Sequence, residues 1–263
     1  MDVAAVAAGL RRRDGWHLEH VISTGSTNDD LAARARSSGS GAVGGAVLVT
    51  EEQTAGRGRA GRQWSCPEGA GLMFSVAVDV SAIAPARRAW TGVALALAIS
   101  SAFGAVVPGR AGLKWPNDVL VDGAKCGGIL AESAGELVLV GAGLNVSLET
   151  AELPRPDATS LRLAGVEVDR NLLLAGVLDD FGRLLSHWRS AGGDVDRSGL
   201  RPAYLAACTT LGSRVRLELP GGGAVVGTAV DVAADGAIVV ESDAGPVRYS
   251  AGDVVHLRSV GTS

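Results

Sequence analysis

Apolar residues recur at every second position along residues 72–80, which predicts a strand, and residues 46–50, apolar up to Thr50, read as a buried strand. Residues 87–103 place Trp90, Val93, Ala94, Leu97 and Phe103 at helical spacing, and 171–189 hold the longest helical pattern in the chain. Between these helices the pattern predicts short strands at 113–115, 119–121, 125–132 and 137–146, with Asp122-Gly123 as a hairpin turn. Residues 3–13 suit a short amphipathic helix. Val21-Ile22 then lead into Thr24-Gly25-Ser26-Thr27-Asn28-Asp29-Asp30, a helix start with a hydroxyl cap and acids in its first turn. Leu31, Ala32 and Ala35 carry that helix to the glycine-rich break at 39–45, and a further short helix is expected at 200–208.

After Leu211 the texture changes. Stretches at 213–219, 224–232, 237–241, 247–250 and 254–257 read as five short strands broken by Gly, Pro and Asp, the pattern of a small β-barrel. The order of elements predicts an α+β fold, a mixed and largely antiparallel sheet with flanking helices, rather than a doubly wound one. The expected division is a larger α+β domain over 1–208, where any catalytic site would lie, and a C-terminal β-module over 209–263 that folds independently of any ligand pocket.

Composition narrows the classes. A chain of 263 residues that is 47% hydrophobic and 20% charged is not a disordered one. A net charge of −4 argues against a broad nucleic-acid-binding face. Cys66, Cys126 and Cys208 share no CxxC spacing, so a reduced cytoplasmic setting is expected. An apolar stretch precedes Arg11-Arg12-Arg13, the reverse of a signal peptide's order, and the apolar run 90–103 is too short to span a bilayer, so no membrane association is expected.

One bias locates the chemistry. Only two of the 24 basic residues are lysines, Lys114 and Lys125; glutamine appears only as Gln53 and Gln63, and asparagine only as Asn28, Asn117, Asn145 and Asn171. A lysine kept in an arginine-rich chain suggests a need for a compact ammonium that a planar guanidinium cannot replace. All but one of these rare residues lie between positions 28 and 145.

Within that region, Gly56-x-Gly58-x-x-Gly61 has the form of a dinucleotide fingerprint, but Ser65-Cys66-Pro67-Glu68-Gly69 and a strand follow where a helix is required. Read as a phosphate loop, it has Arg62-Gln63 where Lys and a hydroxyl are needed. What remains is a loop of Arg57, Arg59 and Arg62 with glycines and one apolar anchor, Trp64, suited to an anion and expected to be mobile without one. Lys114-Trp115-Pro116-Asn117-Asp118 offers a cation, an amide and a carboxylate at a strand end, fit for a nucleotide phosphate with Mg2+ or for a self-capped turn. Lys125-Cys126-Gly127-Gly128 places a lysine on a strand whose glycines predict a bulge or a close ligand. Gly141-Ala142-Gly143-Leu144-Asn145 ends a strand with small residues and an amide, for a pocket or for tight packing. His17, His20, His187 and His256 lie outside the cluster, so neither a histidine triad nor a histidine metal site is suggested. Cations, amides and glycines without a protein nucleophile suggest that the substrates supply both reacting groups.

In order and spacing, Ser26-Thr27-Asn28, the 53–64 segment with its Gly-Arg-Gly-Arg-x-Gly-Arg-x-Trp core, 114–118, 125–132 and Gly143-Leu144-Asn145-Val146 resemble biotin–protein ligases of the short form without an N-terminal DNA-binding domain. The resemblance is strong over 22–165 and loose over the C-terminal module. It implies the synthetase-like α+β fold and an SH3-like C-terminal barrel. It also implies ATP- and Mg2+-dependent activation of biotin to biotinyl-5′-AMP, then transfer to a lysine of a biotin carboxyl carrier domain. On that resemblance Ser26, Thr27, Asn28, Gln53, Arg57, Gly58, Arg59 and Lys125 contact biotin. Arg59, Arg62, Trp64, Lys114, Asn117, Asp118 and Asn145 serve ATP and the adenylate, Asp118 serves Mg2+, and Lys125, Arg59 and Arg57 act in catalysis. Asp157–Leu161 resembles the family's second, adenylate-covering loop, without an aromatic to stack on adenine. Lipoate–protein ligase and ligand-sensing repressor are the competing readings; the repressor needs a helix-turn-helix that the pattern does not contain.

Overall fold

A computed structural model of the chain describes residues 1–11, 15–243 and 245–257. Helix α1 (Val3–Gly9) is capped by Asp2, which accepts from the amides of Ala4 and Ala5. It ends sooner than the expected 3–13 because Leu10 is extended; Arg12 and Arg13 lie outside the described residues. Strand β1 (His17–Thr24), helices α2 (Thr27–Ser38) and α3 (Ser40–Val43), and strands β2 (Ala46–Gln53) and β3 (Gly71–Asp79) follow. Next come α4 (Trp90–Val106), strands β4 (Ala111–Lys114), β5 (Asp118–Val121), β6 (Ala124–Ala134) and β7 (Leu137–Asn145), then α5 (Arg170–Ser190) and α6 (Leu200–Ala207). The last strands are β8 (Arg214–Glu218), β9 (Ala224–Val232), β10 (Ile238–Ser242), β11 (Gly245–Tyr249) and β12 (Asp253–His256).

Seven strands form one mixed sheet in the order β1-β2-β3-β7-β6-β5-β4, parallel between β1 and β2 and antiparallel elsewhere. Strand β1 is the element the pattern does not announce. It is an edge strand with polar and apolar residues mixed, and none of its residues is fully buried. The Asp122-Gly123 turn forms as expected, with both residues at positive φ (51° and 76°), the geometry that matches strand twist in a two-residue hairpin.

Alternation divides the sheet into two faces. Along β7, Val138, Val140, Ala142 and Leu144 join the main core under α4, with α5 packed on α4. Leu137 and Leu139 face the other way and pack with Leu31 of α2, Leu48 and Ala77. Further along that second face the residues are Gly141, Gly143 and Asn145, beside Ser75 of β3 and Gly128 and Leu130 of β6. Leaving side chains out there opens a cavity.

The 22-residue run Pro85–Val106 contains an 18-residue stretch of mean hydropathy 1.7, so it meets the length and composition of a membrane-crossing helix, contrary to the expectation drawn from 90–103. Its apolar residues are used in the core instead: Trp90, Leu95, Ile99 and Phe103 are fully buried.

The five C-terminal strands form a second sheet, β11-β10-β9-β8-β12. This module is not insulated from the rest of the chain. Val215, Leu217, Ala229, Val232, Ile238, Val240 and Val254 belong to the same buried cluster as Trp90 and Tyr204. Trp90 Nε1 donates to Ala234 O (2.9 Å) and Trp115 Nε1 to Gly236 O (3.1 Å). Its barrel pattern is readable from the sequence, but its apolar contact with the larger sheet argues against independent folding.

Candidate active site

The floor of the cavity is built at the start of α2. Ser26 caps the helix and Thr27 and Asn28 occupy its first turn, all three buried, where the unpaired helical amides need side-chain acceptors. Thr27 N donates to Gln53 Oε1 (2.9 Å), Thr27 Oγ1 lies 2.6 Å from Ser75 Oγ, and Ser75 Oγ donates to Asn28 Oδ1 (2.7 Å). Asn28 Nδ2 donates to Glu132 Oε2 (2.7 Å) and Leu130 O (3.3 Å). Gly141 lets this network form: a Cβ there would lie 2.8 Å from Asn28 Oδ1 and 3.0 Å from Ser75 Oγ.

The arginine loop folds over this floor as a narrow excursion. Trp64 N donates to Gly56 O (2.9 Å) and Gly58 N to Arg62 O (2.7 Å), with Ala60 left-handed (φ 53°) at the tip. Trp64 rests on Gly143, where a Cβ would come within 2.3 Å of its ring. Two of the arginines in this loop, expected to be mobile without an anion, already have carboxylate partners within the chain. Arg57 reaches Asp29 (2.5 Å) and Glu132 (3.0 Å), and Arg62 reaches Asp253 of β12 (2.6 Å). Arg59 differs: among the described residues it has no ion-pair partner, and burial lowers its pKa, with Asp253 and Asp118 acting in the opposite direction.

The far end is cationic. The β4–β5 turn, Trp115-Pro116-Asn117 with a cis Trp115–Pro116 bond, places Lys114 opposite Asp118. Lys125 Nζ pairs with Asp118 Oδ1 at 2.5 Å. Lys125 stands at a bulge, since Val119 pairs with Gly127 and Leu120 with Lys125, leaving Cys126 as the extra residue. Cys126 is buried and its thiol is pushed up to about 12 by burial, which fits the reading of a small packing residue and not a nucleophile. Asn117 Nδ2 donates to Ile129 O (2.8 Å) and Asn145 Nδ2 to Thr159 O (2.9 Å), so both amides brace backbone at the cavity edge. Residues 157–159 run beside Lys125, with Lys125 N donating to Asp157 O (2.9 Å) and Thr159 N to Lys125 O (2.8 Å). Burial opposes ionisation of Asp157, but Arg155 and Lys114 outweigh it and hold its pKa below the ordinary value.

Every residue expected to contact biotin, ATP or the metal lines this one cavity of about 880 Å3. Sequence reasoning missed Ser75, Arg155 and the β12 wall of Asp253, Val254 and His256, which come from strands and loops distant in sequence, and Glu132, which holds Asn28 and Arg57 from outside the lining. His256, expected outside the cluster, faces the cavity, its pKa lowered by burial and by Lys114, and it lies 3.3 Å from Thr210 Oγ1.

A cavity with a polar buried floor, an arginine loop and two lysines accords with what the chain matches. It is 44% identical over 249 residues to the biotin–[acetyl-CoA-carboxylase] ligase of Mycobacterium tuberculosis, covering 93% of this chain and 91% of that one. The chain belongs to the biotin protein ligase family. Residues 22–147 match the biotin/lipoate A/B protein ligase family and residues 210–257 the biotin protein ligase C-terminal domain. The bifunctional ligase/repressor of Escherichia coli is 27% identical over 260 residues, with 77% of its length covered. Biotin protein ligase from Aquifex aeolicus, solved in complex with biotin and ATP, superposes with a TM-score of 0.76 at 27% identity, covering 92% of this chain and 99% of that one. The chain is thus a member of an enzyme family whose fold matches the α+β architecture with a C-terminal all-β unit.

Proposed function

We propose that the chain activates biotin with ATP to biotinyl-5′-AMP and then transfers the biotinyl group to a lysine of a biotin carboxyl carrier domain. The observation that carries this reading is the pairing, in one cavity, of a buried hydrogen-bonding floor with three half-buried cations, Arg59, Lys114 and Lys125. The floor suits the ureido ring of biotin; the cations suit a carboxylate meeting a triphosphate.

In the first step a biotin carboxylate oxygen forms a bond to the α-phosphorus and the bond from that phosphorus to the β-phosphate oxygen breaks, releasing pyrophosphate. Two anions must approach, so the barrier depends on fixed positive charge where negative charge accumulates. Lys125 lies between floor and far end and would bridge carboxylate and α-phosphate once Asp118 yields its ammonium. Arg57, Gly58 and Arg59 would cover the adenylate and exclude water from an acyl phosphate that hydrolyses readily. Lys114, Arg62, Trp64, Asn117 and Asn145 line the nucleotide side. In the second step the carrier lysine amine bonds to the biotinyl carbonyl carbon and AMP departs, with the amine proton lost to solvent or phosphate.

Magnesium is compatible with this donor set. Among the described residues no three His, Cys, Asp or Glu side chains gather as a metal cage. Mg2+ generally takes one or two carboxylates and leaves its other positions to phosphates and water. Asp118 would be that carboxylate, and the ion would neutralise phosphate charge. The division at residue 209 and a reduced, cytoplasmic setting belong to the same proposal, supported by the separate C-terminal sheet and by Cys66, Cys126 and Cys208 as free thiols. Biotin-dependent exchange of labelled pyrophosphate into ATP tests the reading, with lipoate as the competing substrate. Exchange with biotin and none with lipoate is expected; the reverse would overturn it.

A further inference from the structure

Glu132 does not line the cavity; it ties the buried floor to the covering loop from just outside it. Its Oε2 accepts from Asn28 Nδ2 at 2.7 Å and from Arg57 Nη2 at 3.0 Å, so one carboxylate oxygen serves both the buried floor and the covering loop. The proton arrangement of the floor follows from that contact. Both groups facing the Asn28 amide nitrogen, Glu132 Oε2 and Leu130 O, are acceptors, so the NH2 must point to them and the carbonyl oxygen to Ser75. Ser75 then spends its only hydrogen on Asn28 Oδ1. With that hydrogen committed, the 2.6 Å contact between Thr27 Oγ1 and Ser75 Oγ takes the one Thr27 hydrogen in preference to Gln53 Oε1, which lies 3.2 Å from the same oxygen. Thr27 is left with lone pairs alone for the cavity, and a ligand atom that meets them must carry N–H or O–H.

We propose that Glu132 is a positioning residue that fixes the proton direction of the Asn28–Ser75–Thr27 chain and, through the same oxygen, holds Arg57 over the cavity. It rests on the reading of the cavity as the site of biotin and ATP. Asp29, at 2.5 Å, is the second carboxylate on Arg57, so the loop is clamped from α2 and from β6 together. A neutral amide at 132 keeps an acceptor oxygen for Asn28 but removes the charge that Arg57 faces; a methyl group removes both. The two functions of the residue are therefore separable by substitution.

The test uses full-length wild type, E132Q and E132A. Biotin affinity is read by calorimetry without ATP, and kcat and the biotin KM by biotin-dependent pyrophosphate exchange. E132Q is expected to bind biotin within about threefold of wild type while kcat falls about tenfold or more. E132A is expected to lose about tenfold or more in both. A folded E132Q with wild-type kcat, or a folded E132Q and E132A that fall by the same factor in both readouts, overturns the role of Glu132. If E132A does not fold, the split between affinity and kcat in E132Q decides alone. A wild-type chain that neither binds biotin nor exchanges would instead overturn the reading of the cavity on which the role rests.

Discussion

A methyl group at position 143 would sit 2.3 Å from the Trp64 ring, closer than real side chains approach, and the ring is too rigid to yield at its tip. Gly143→Ala should therefore push Trp64 off the floor and weaken biotin binding about tenfold or more. The melting temperature should change little, because Trp64 lies at the cavity rim; titration calorimetry beside a thermal melt checks this. Wild-type affinity would mean that Trp64 has no part in shaping the pocket. Lys125 answers a different question. Removing a charge that acts on the transition state typically costs about a hundredfold or more in kcat, so Lys125→Ala should lose pyrophosphate exchange on that scale. Lys125→Arg should fail as well, since a planar fork cannot place one point charge between carboxylate and phosphate. Near-normal exchange in folded Lys125→Ala would remove Lys125 from the chemistry.

At the level of elements, the strands of the larger sheet were legible wherever one face is core, because alternation then has a physical cause. Strand β3, with Leu72, Phe74, Val76 and Val78 on the α4 side, is the clearest case. Edge strand β1 was not legible, since a strand buried on neither face carries no such signal. The bulge at Cys126 was announced by Gly127-Gly128, and the Asp122-Gly123 turn by its dipeptide. The carboxylates that receive Arg57 and Arg62 could not be read, because Glu132 and Asp253 reach the loop only through tertiary folding, 75 and 191 residues away in sequence. The same limit hid Ser75. Arg59 retains an unneutralised charge, so an anionic ligand should still stabilise the loop. Amide exchange across 54–66 is expected to slow with biotin and further with biotinyl-5′-AMP. Equal protection with and without ligand would mark the loop as a fixed wall.

For the molecule as a whole, the continuous core between the two sheets sets stability. Deleting 209–263 strips cover from Trp90, Trp115 and Tyr204, and full burial of each large apolar side chain contributes about 1.5–3 kcal/mol. A 1–208 fragment should therefore fail to melt cooperatively, and a fragment that melts like the full chain would contradict the shared core. A second whole-molecule property is acid sensitivity. Glu51 of β2 is buried, which opposes its charge, yet the Met1 amine and Arg170 of α5 (2.6 Å) hold its pKa at about 2 against an ordinary 4.5. A depressed carboxylate stabilises fully above its unfolded value and loses that contribution as pH falls. Urea unfolding should thus weaken steadily from pH 4.5 towards 2, and Glu51→Gln should be less stable at neutral pH but flatter across that window. Identical pH slopes in the two proteins would exclude Glu51 as the source.

The proposed chemistry is one reaction at its outset, carboxylate activation by ATP in the cavity between the arginine loop and the two lysines. Exchange of labelled pyrophosphate into ATP by the full-length chain measures that step without any carrier protein. Exchange is expected to require biotin, to saturate with it, and to disappear in Lys125→Ala. A folded chain that binds ATP but exchanges no label with biotin present would contradict that chemistry.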